Sequence, residues 1–158
     1  VAQEAGAKVV EMNIAELLRG GDIQKAAREA IELLHYGQDV VVVTAREHED
    51  YLEAVKVGKE KGMSRTAVAK YAQSRIGELS ALILKEAKVC GCFLTGGDTA
   101  ISVNNYNHAH GAKLVEEVLP IIALIQLDGG DYPGLPCIVK GGDREALAKS
   151  IVYFKERM

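Results

Sequence analysis

The sequence contains no tryptophan, and aromatic residues make up only 5% of its 158 residues. Proteins that bind single-stranded nucleic acid stack the bases on aromatic side chains, and nucleic acids in general attract a basic face. This chain has a net charge of −3 instead. No apolar run approaches the roughly 18 residues of a membrane-spanning helix, and no charged-then-apolar leader opens the chain. We therefore expect a cytoplasmic protein without nucleic acid or membrane partners.

Several common catalytic motifs are also missing. The chain has no Gly-x-Ser-x-Gly elbow of a serine hydrolase, no His-Glu-x-x-His metal helix, no P-loop and no three-glycine dinucleotide fingerprint. Cysteine is scarce, with only Cys90, Cys92 and Cys137. Cys90 and Cys92 share a face of a predicted strand, and a metal site would need more ligands at a recognisable spacing. We interpret all three cysteines as small buried hydrophobic residues in a reducing compartment.

The composition and the predicted elements indicate a single α/β domain that spans residues 1–158. Apolar residues make up 48% and charged residues 26%, which is typical of a globular domain with a core. Predicted strands alternate with helices over the first two-thirds, and four consecutive valines at 40–43 indicate a strand covered on both faces. A long helix is predicted at 65–88, capped by Ser64. Beyond Lys113 the strands follow one another directly. The prediction is a three-layer α/β/α domain with a mixed, largely parallel sheet.

One stretch combines a strand, a glycine turn and a helix. Residues 89–95 read as a buried strand, Gly96 and Gly97 break it, and Asp98 or Thr99 is predicted to cap a helix over 99–110. The first amides of a helix have no intrahelical acceptor, and the helix dipole places partial positive charge there. Glycine lets an anion approach the main chain closely. The stretch therefore predicts a nucleotide-phosphate loop.

A second glycine turn follows the last predicted strand. Lys140, Gly141 and Gly142 precede a helix that Asp143 is predicted to cap, and Lys140 would add a point charge against a phosphate. Asp98 is a candidate Mg²⁺ ligand, since this ion prefers few carboxylates together with phosphate oxygens. In open α/β sheets, ligands bind at the carboxyl ends of the strands. We expect the two turns to lie side by side at one edge of the sheet.

Plainer interpretations stay open at this point. Each glycine pair is also consistent with a tight turn, the aspartate after it with a helix cap, and Lys140 with a solvated lysine. Residues 44–46, at the end of the valine strand, are a further candidate for lining a site. Asp128 and Asp131 flank two glycines, where they read as turn residues or as cation ligands.

With these residues in view, the sequence resembles the C-terminal, nucleotide-binding domain of the four-carbon acid sugar kinase family. The likeness lies in the valine strand, the long helix, the run from Phe93 to Ala100 (Phe-Leu-Thr-Gly-Gly-Asp-Thr-Ala), the Leu119-Pro120 region and the final Ile-Val-Lys-Gly-Gly ending at Gly142. It covers nearly the whole chain.

The resemblance implies a two-domain kinase that uses ATP and Mg²⁺ to phosphorylate small sugar acids such as threonate or erythronate. The first domain would hold most of the sugar-acid site, and this one would bind ATP; a homodimer is one possible assembly. The implied nucleotide-binding residues are Gly96, Gly97, Asp98, Thr99, Ala100, Lys140, Gly141 and Gly142. Asp98 is assigned as the metal ligand and the catalytic residue.

Two departures from the family pattern stand out. Asp143-Arg-Glu-Ala follows the second turn, where the family usually has a further glycine, so that loop is shortened. The chain also starts at Val1 without the family's first domain, so we expect it to be a fragment that is inactive by itself. The alternative function is a non-catalytic nucleotide- or anion-binding module related to this family. A pure interaction domain is a third class, for which the sequence carries no feature of its own.

Overall fold

The first two strands of the fold are parallel neighbours joined by helices. A computed structural model describes residues 6–120 and 122–140, so that the helix predicted after Asp143 and the turn residues Gly141 and Gly142 lie outside the described residues. Strands β1 (Lys8–Glu11) and β2 (Val40–Val43) pair in parallel, with Lys8 opposite Val40 and Glu11 opposite Val43. Helices α1 (Ile14–Leu18) and α2 (Gln24–His35) make the crossover that a parallel pair requires.

The valine strand is less covered than predicted. All four of its residues are half-buried, which corrects the expectation of cover on both faces. Val40 and Val42 pack against the core formed by β1 and the helices, whereas the alternate residues point to the other face. Within the described residues β2 pairs with β1 alone, which leaves its other edge without a strand.

Two further helices complete this half of the molecule. Helix α3 (His48–Glu60) begins with a capping box made by Glu47 and Asp50, and helix α4 (Arg65–Glu86) begins at Ser64, whose hydroxyl accepts from the Ala67 amide at 3.1 Å. The predicted long helix and its cap are confirmed. Ile76 of α4 touches both hydrophobic cores, so α4 links the two halves of the fold. No helix in the part of the chain that the structure describes is long and apolar enough to cross a membrane.

The second half is a four-stranded sheet with one helix against it. Strands β3 (Cys92–Thr95), β4 (Gly111–Leu119), β5 (Ile122–Asp128) and β6 (Pro136–Lys140) lie in the order β3-β6-β5-β4, and α5 (Gly97–Tyr106) follows β3. β3 and β6 are parallel, whereas β5 runs antiparallel to both β6 and β4. The predicted α/β class is confirmed, with parallel pairing at β1–β2 and β3–β6 and the expected antiparallel part after residue 113.

The strand before the glycine turn is shorter than the sequence indicated. It begins at Cys92 rather than at residue 89, and Cys90 is exposed, so the interpretation of Cys90 as a buried residue is wrong. The parallel ladder starts with Cys92 opposite Cys137. Pro136, immediately before Cys137, has no backbone N–H to extend the ladder further. Cys137 is buried as predicted, and Cys92 is partly buried.

Helix α5 is held close against α4 by a glycine. A Cβ added at Gly77 would meet the Ser102 side chain and, at 2.8 Å, the Ser102 carbonyl oxygen, and it would lie 2.5 Å from the Tyr106 ring. Hydrogen bonds flank this crossing: Ser102 Oγ donates to the Gln73 carbonyl at 2.7 Å, and the Ser74 and Tyr106 hydroxyls lie 2.7 Å apart. The absence of a side chain at Gly77 therefore sets the distance between the two helices.

We expect Gly77→Ala to lower the free energy of unfolding by about 1–3 kcal/mol, because the added methyl group overpacks the crossing of α4 and α5. Alanine is favoured over glycine in a helix interior by about 1 kcal/mol, so a net decrease in the free energy of unfolding must come from the overpacked crossing. Urea unfolding followed by circular dichroism measures the change. Gly97→Ala is the matched control, since a Cβ at that helical glycine meets nothing within 4 Å. A Gly77→Ala protein as stable as the parent would contradict the proposed crossing.

Candidate functional site

Gly96 and Lys140 meet at the carboxyl ends of two adjacent strands. β3 and β6 are parallel, with Thr95 opposite Lys140, and the Gly96 amide donates to the Lys140 carbonyl oxygen at 2.9 Å. The first glycine turn and the start of the second therefore lie side by side at one edge of the sheet, as the sequence led us to expect. In sheets of this kind that edge is the usual place for a ligand.

The turn at Gly96 gives α5 its starting direction. Gly96 has φ +91°, a conformation that favours glycine, and it is the residue immediately before the helix. Its carbonyl accepts from the Ala100 amide at 3.2 Å. The helix begins at Gly97, so the prediction that Asp98 or Thr99 caps it is wrong: both lie inside the first turn. The glycine backbone alone makes the turn, and this leaves both side chains available for other contacts.

The first turn of α5 has the properties of an anion site. Among the described residues nothing accepts a hydrogen bond from the amides of Gly97, Asp98 or Thr99. These are the N–H groups on which the positive end of the helix dipole is concentrated. A Cβ added at Gly97 would enter open space, with no atom within 4 Å. The main chain is thus bare and approachable at the point where its donors are free.

Asp98 stands at one side of this turn. It is exposed, and its Oδ2 accepts from Gln73 Nε2 of α4 at 3.3 Å. The carboxylate also lines an open groove of about 450 Å³ between α4 and α5, together with Lys70, Ile101 and Tyr106. No cluster of three or more His, Cys, Asp or Glu occurs among the described residues. Among the described residues, a cation here would have Asp98 as its one carboxylate, a pattern that Mg²⁺ accepts when phosphate and water supply other ligands.

Lys140 is not a solvated lysine. The residue is only 5% exposed and, by strand alternation, shares a face of the sheet with Ile138, which is 0% exposed. Lysine is seldom buried unless it is paired. Across residues 6–120 and 122–140 no side chain pairs with its ammonium group. A cation so placed is suited to an anionic ligand.

The other candidate residues are occupied by local contacts. Arg46 Nε lies 3.0 Å from Glu11 Oε2 at the carboxyl ends of β1 and β2. Asp128 Oδ1 lies 3.1 Å from Lys113 Nζ, and Asp131 Oδ2 lies 2.8 Å from His108 Nδ1, so both carboxylates already have a side-chain partner on their own chain. These pairs favour the turn interpretation of the two aspartates over a cation site.

Gln73 is the site residue that the sequence did not reveal. It contacts Asp98 across 25 positions of sequence, and only the packing of α4 on α5 brings the two together. The sequence did contain one indication that another element packs closely on this face of α4. Gly77 lies one turn after Gln73, and a glycine inside a long helix often marks the close approach of a neighbouring element.

The comparison with known proteins now decides the family. Residues 1–144 match the family described as the nucleotide-binding C-terminal domain. The chain belongs to this family. It is 30% identical over 162 residues to a D-threonate kinase of Bordetella bronchiseptica, covering 98% of the chain and 36% of the relative. It is 27% identical over 156 residues to a D-threonate kinase of Salmonella typhimurium, covering 95% and 37%.

A third relative is a D-erythronate kinase of Heliobacterium modesticaldum, 26% identical over 123 residues, with 77% of the chain and 28% of the relative covered. The resemblance to four-carbon acid sugar kinases is thereby confirmed. The chain spans little more than a third of the length of the threonate kinases that it matches.

Solved structures agree with this assignment. A Bordetella bronchiseptica protein described as a domain of unknown function, solved with bound citrate as a domain-swapped dimer, has a TM-score of 0.69 and 28% identity; 98% of the chain and 35% of that protein are covered. A Haemophilus influenzae protein with a TM-score of 0.65 and 13% identity, covering 99% and 36%, shares the fold.

We expect Lys140→Met to leave the free energy of unfolding unchanged or to raise it by about 1 kcal/mol in the absence of ligand, because replacing a buried charge with an apolar side chain of similar length removes a desolvation cost. Chemical denaturation measures it. Lys25→Met, at an exposed lysine of α2, is the control, with an effect near zero. A loss of stability specific to Lys140→Met would show that the ammonium has a structural partner.

Proposed function

We propose that this domain binds ATP in a kinase that transfers the γ-phosphoryl group to a hydroxyl of a small, four-carbon sugar acid. The observation that carries the proposal is the hydrogen bond between Gly96 and Lys140, which puts bare helix amides and a buried lysine at the ends of neighbouring parallel strands. The relatives named threonate and erythronate kinases support the substrate class.

The phosphates of ATP would be held by the main chain. In this proposal the amides of Gly97, Asp98 and Thr99 donate to phosphate oxygens, and the missing side chain at Gly97 leaves the room that they need. The Thr99 hydroxyl adds a donor, and Ala100 continues the helix with a small side chain. Lys140 supplies a positive charge, with Gly141 and Gly142 as the second loop. Catalysis in phosphoryl transfer is mainly positioning and charge stabilisation, which such a cradle provides.

Mg²⁺ fits the same site through Asp98. A carboxylate beside an anion-binding turn repels phosphate unless a cation lies between the two charges. Asp98 accepts a hydrogen bond from Gln73 through Oδ2, and nothing in the part of the chain that the structure describes bonds to Oδ1, which leaves this oxygen for a metal ion or its water. When bound, the ion would neutralise phosphate charge; Gln73 would hold the carboxylate in place.

The remaining functions belong to the whole protein. The chain spans little more than a third of the length of the threonate kinases. We therefore assign the sugar-acid site mainly to a separate domain of the whole protein, and the kinase activity requires that domain together with this one. A homodimer is consistent with the domain-swapped dimer of the Bordetella relative. A cytoplasmic location is part of the proposal, since Mg·ATP and small sugar acids are found there.

Gly97→Ala tests the cradle. The methyl group would occupy the space of a phosphate, so we expect the Kd for Mg·ATP, measured by calorimetry on the intact protein, to rise about tenfold to a hundredfold, as for the loss of a charged hydrogen bond. Gly111→Ala is the control, because that glycine also has open space around its Cβ and plays no part in the proposed site. Equal affinities in the two variants would overturn the phosphate loop.

Asp98→Asn tests the metal ligand and separates the kinase from the non-catalytic module. We expect turnover to fall at least about tenfold and Mg²⁺-dependent ATP binding to weaken, because the amide keeps the shape but loses the charge. Asp22→Asn, at an exposed aspartate whose side chain accepts from the Gln24 amide, is the control. Unchanged turnover in Asp98→Asn contradicts the assignment, and an intact protein that binds ATP but phosphorylates no sugar acid favours the binding module.

A further inference from the structure

Two of the three cysteines face each other across the sheet. Cys92, the first residue of β3, is in register with Cys137 of β6. Aligned residues of parallel strands point to the same face, and both side chains belong to the second core, with Leu94 and Val103. Neighbouring strands lie about 4.8 Å apart, which is within the range of Cα separations that a disulfide bridges.

The two thiols differ in access and in acidity. Cys137 is 0% exposed, and its Sγ lies 3.8 Å from the Leu135 carbonyl oxygen, whereas Cys92 is partly exposed. The neighbouring Cys137 lowers the pKa of Cys92, whereas the neighbouring Cys92, together with burial, raises the pKa of Cys137. The thiolate is the reactive form of cysteine. Cys92 is therefore the thiol that reacts first with an oxidant, and Cys137 lies beside it as a protonated thiol.

We propose that Cys92 and Cys137 form a site of oxidative modification, at which a small hydroperoxide converts the two thiols into a disulfide within the chain. Sulfenic acid followed by condensation with a neighbouring thiol is the ordinary course of this chemistry. The Cys92 thiolate attacks the O–O bond of hydrogen peroxide, giving the sulfenic acid and hydroxide, which takes up the proton that Cys92 released and leaves as water. The Cys137 sulfur then attacks the sulfenic sulfur, the S–O bond breaks, and a second water carries away the Cys137 proton. The two thiols supply the two electrons that reduce the peroxide.

The position of the pair gives the modification a consequence. Cys92 and Cys137 begin the same stretch of ladder that ends with Thr95 opposite Lys140. A covalent bond at the start of this ladder fixes the spacing of the two strands that end at Gly96 and Lys140. The site stands on the register and burial of the thiols and does not depend on the proposed kinase function.

The test is peptide mapping by mass spectrometry after treatment of the protein with hydrogen peroxide. We expect the free thiols to fall from three to one, with a linked pair of peptides containing Cys92 and Cys137 that dithiothreitol separates. Cys90→Ser is the matched control: Cys90 is exposed and lies just before the ladder, so its loss should leave the linked pair unchanged.

Two variants separate the steps. Cys137→Ala should stop the reaction at a sulfenic acid on Cys92, which dimedone captures, and Cys92→Ala should form no disulfide. Circular dichroism shows whether each variant is folded. If one of them is unfolded, the peptide mapping of the unaltered protein decides whether the disulfide forms. Retention of all three thiols, a bond that includes Cys90, or a bond between two chains overturns the proposal.

Discussion

The hydrogen bond from the Gly96 amide to the Lys140 carbonyl is the contact on which the candidate site depends. It closes the parallel ladder of β3 and β6 at its carboxyl end and thereby fixes the points at which the two strands leave the sheet. Without it, the start of α5 and the lysine at the end of β6 would have no defined spacing. The two are remote in sequence, so the arrangement is a product of strand pairing rather than of local structure.

A second constraint sets the direction of the helix that leaves this edge. The free amides of Gly97 to Thr99 can serve a ligand only if α5 keeps a constant orientation, and the close crossing at Gly77 provides it. The same crossing brings Gln73 to Asp98. Asn107, fully buried at the far end of α5, donates to the Val103 carbonyl at 2.8 Å and to Ser80 Oγ at 3.1 Å. The helix is thus secured against α4 along its length.

The sequence predicted those parts of the fold that depend on local rules. Ser64 caps α4 as predicted, because capping is a property of a few neighbouring residues. The sequence also led us to expect the two glycine turns at one edge of the sheet, and the parallel pairing of β3 with β6 brings Gly96 and Lys140 together there. The start of β3 was not predicted, because the parallel ladder begins at Cys137, just after Pro136 on another strand. The start of α5 was missed because Gly96 makes the turn with its backbone, without a capping side chain.

The charges at the edge of the sheet give Asp98 a different effect in the free protein and in a protein with a bound anion. An aspartate in the first turn of a helix is favourable in the free protein, since its charge lies at the positive end of the dipole. A phosphate bound to the same amides reverses this balance, because two negative charges then share one small volume. In the proposed site, a divalent cation between them would turn this repulsion into two attractions, and the buried Lys140 would add positive charge without occupying a helix amide. In the proposed site, Asp98 would therefore make the binding of an anion at this turn dependent on a metal ion, whereas the glycine backbone alone would bind it without one.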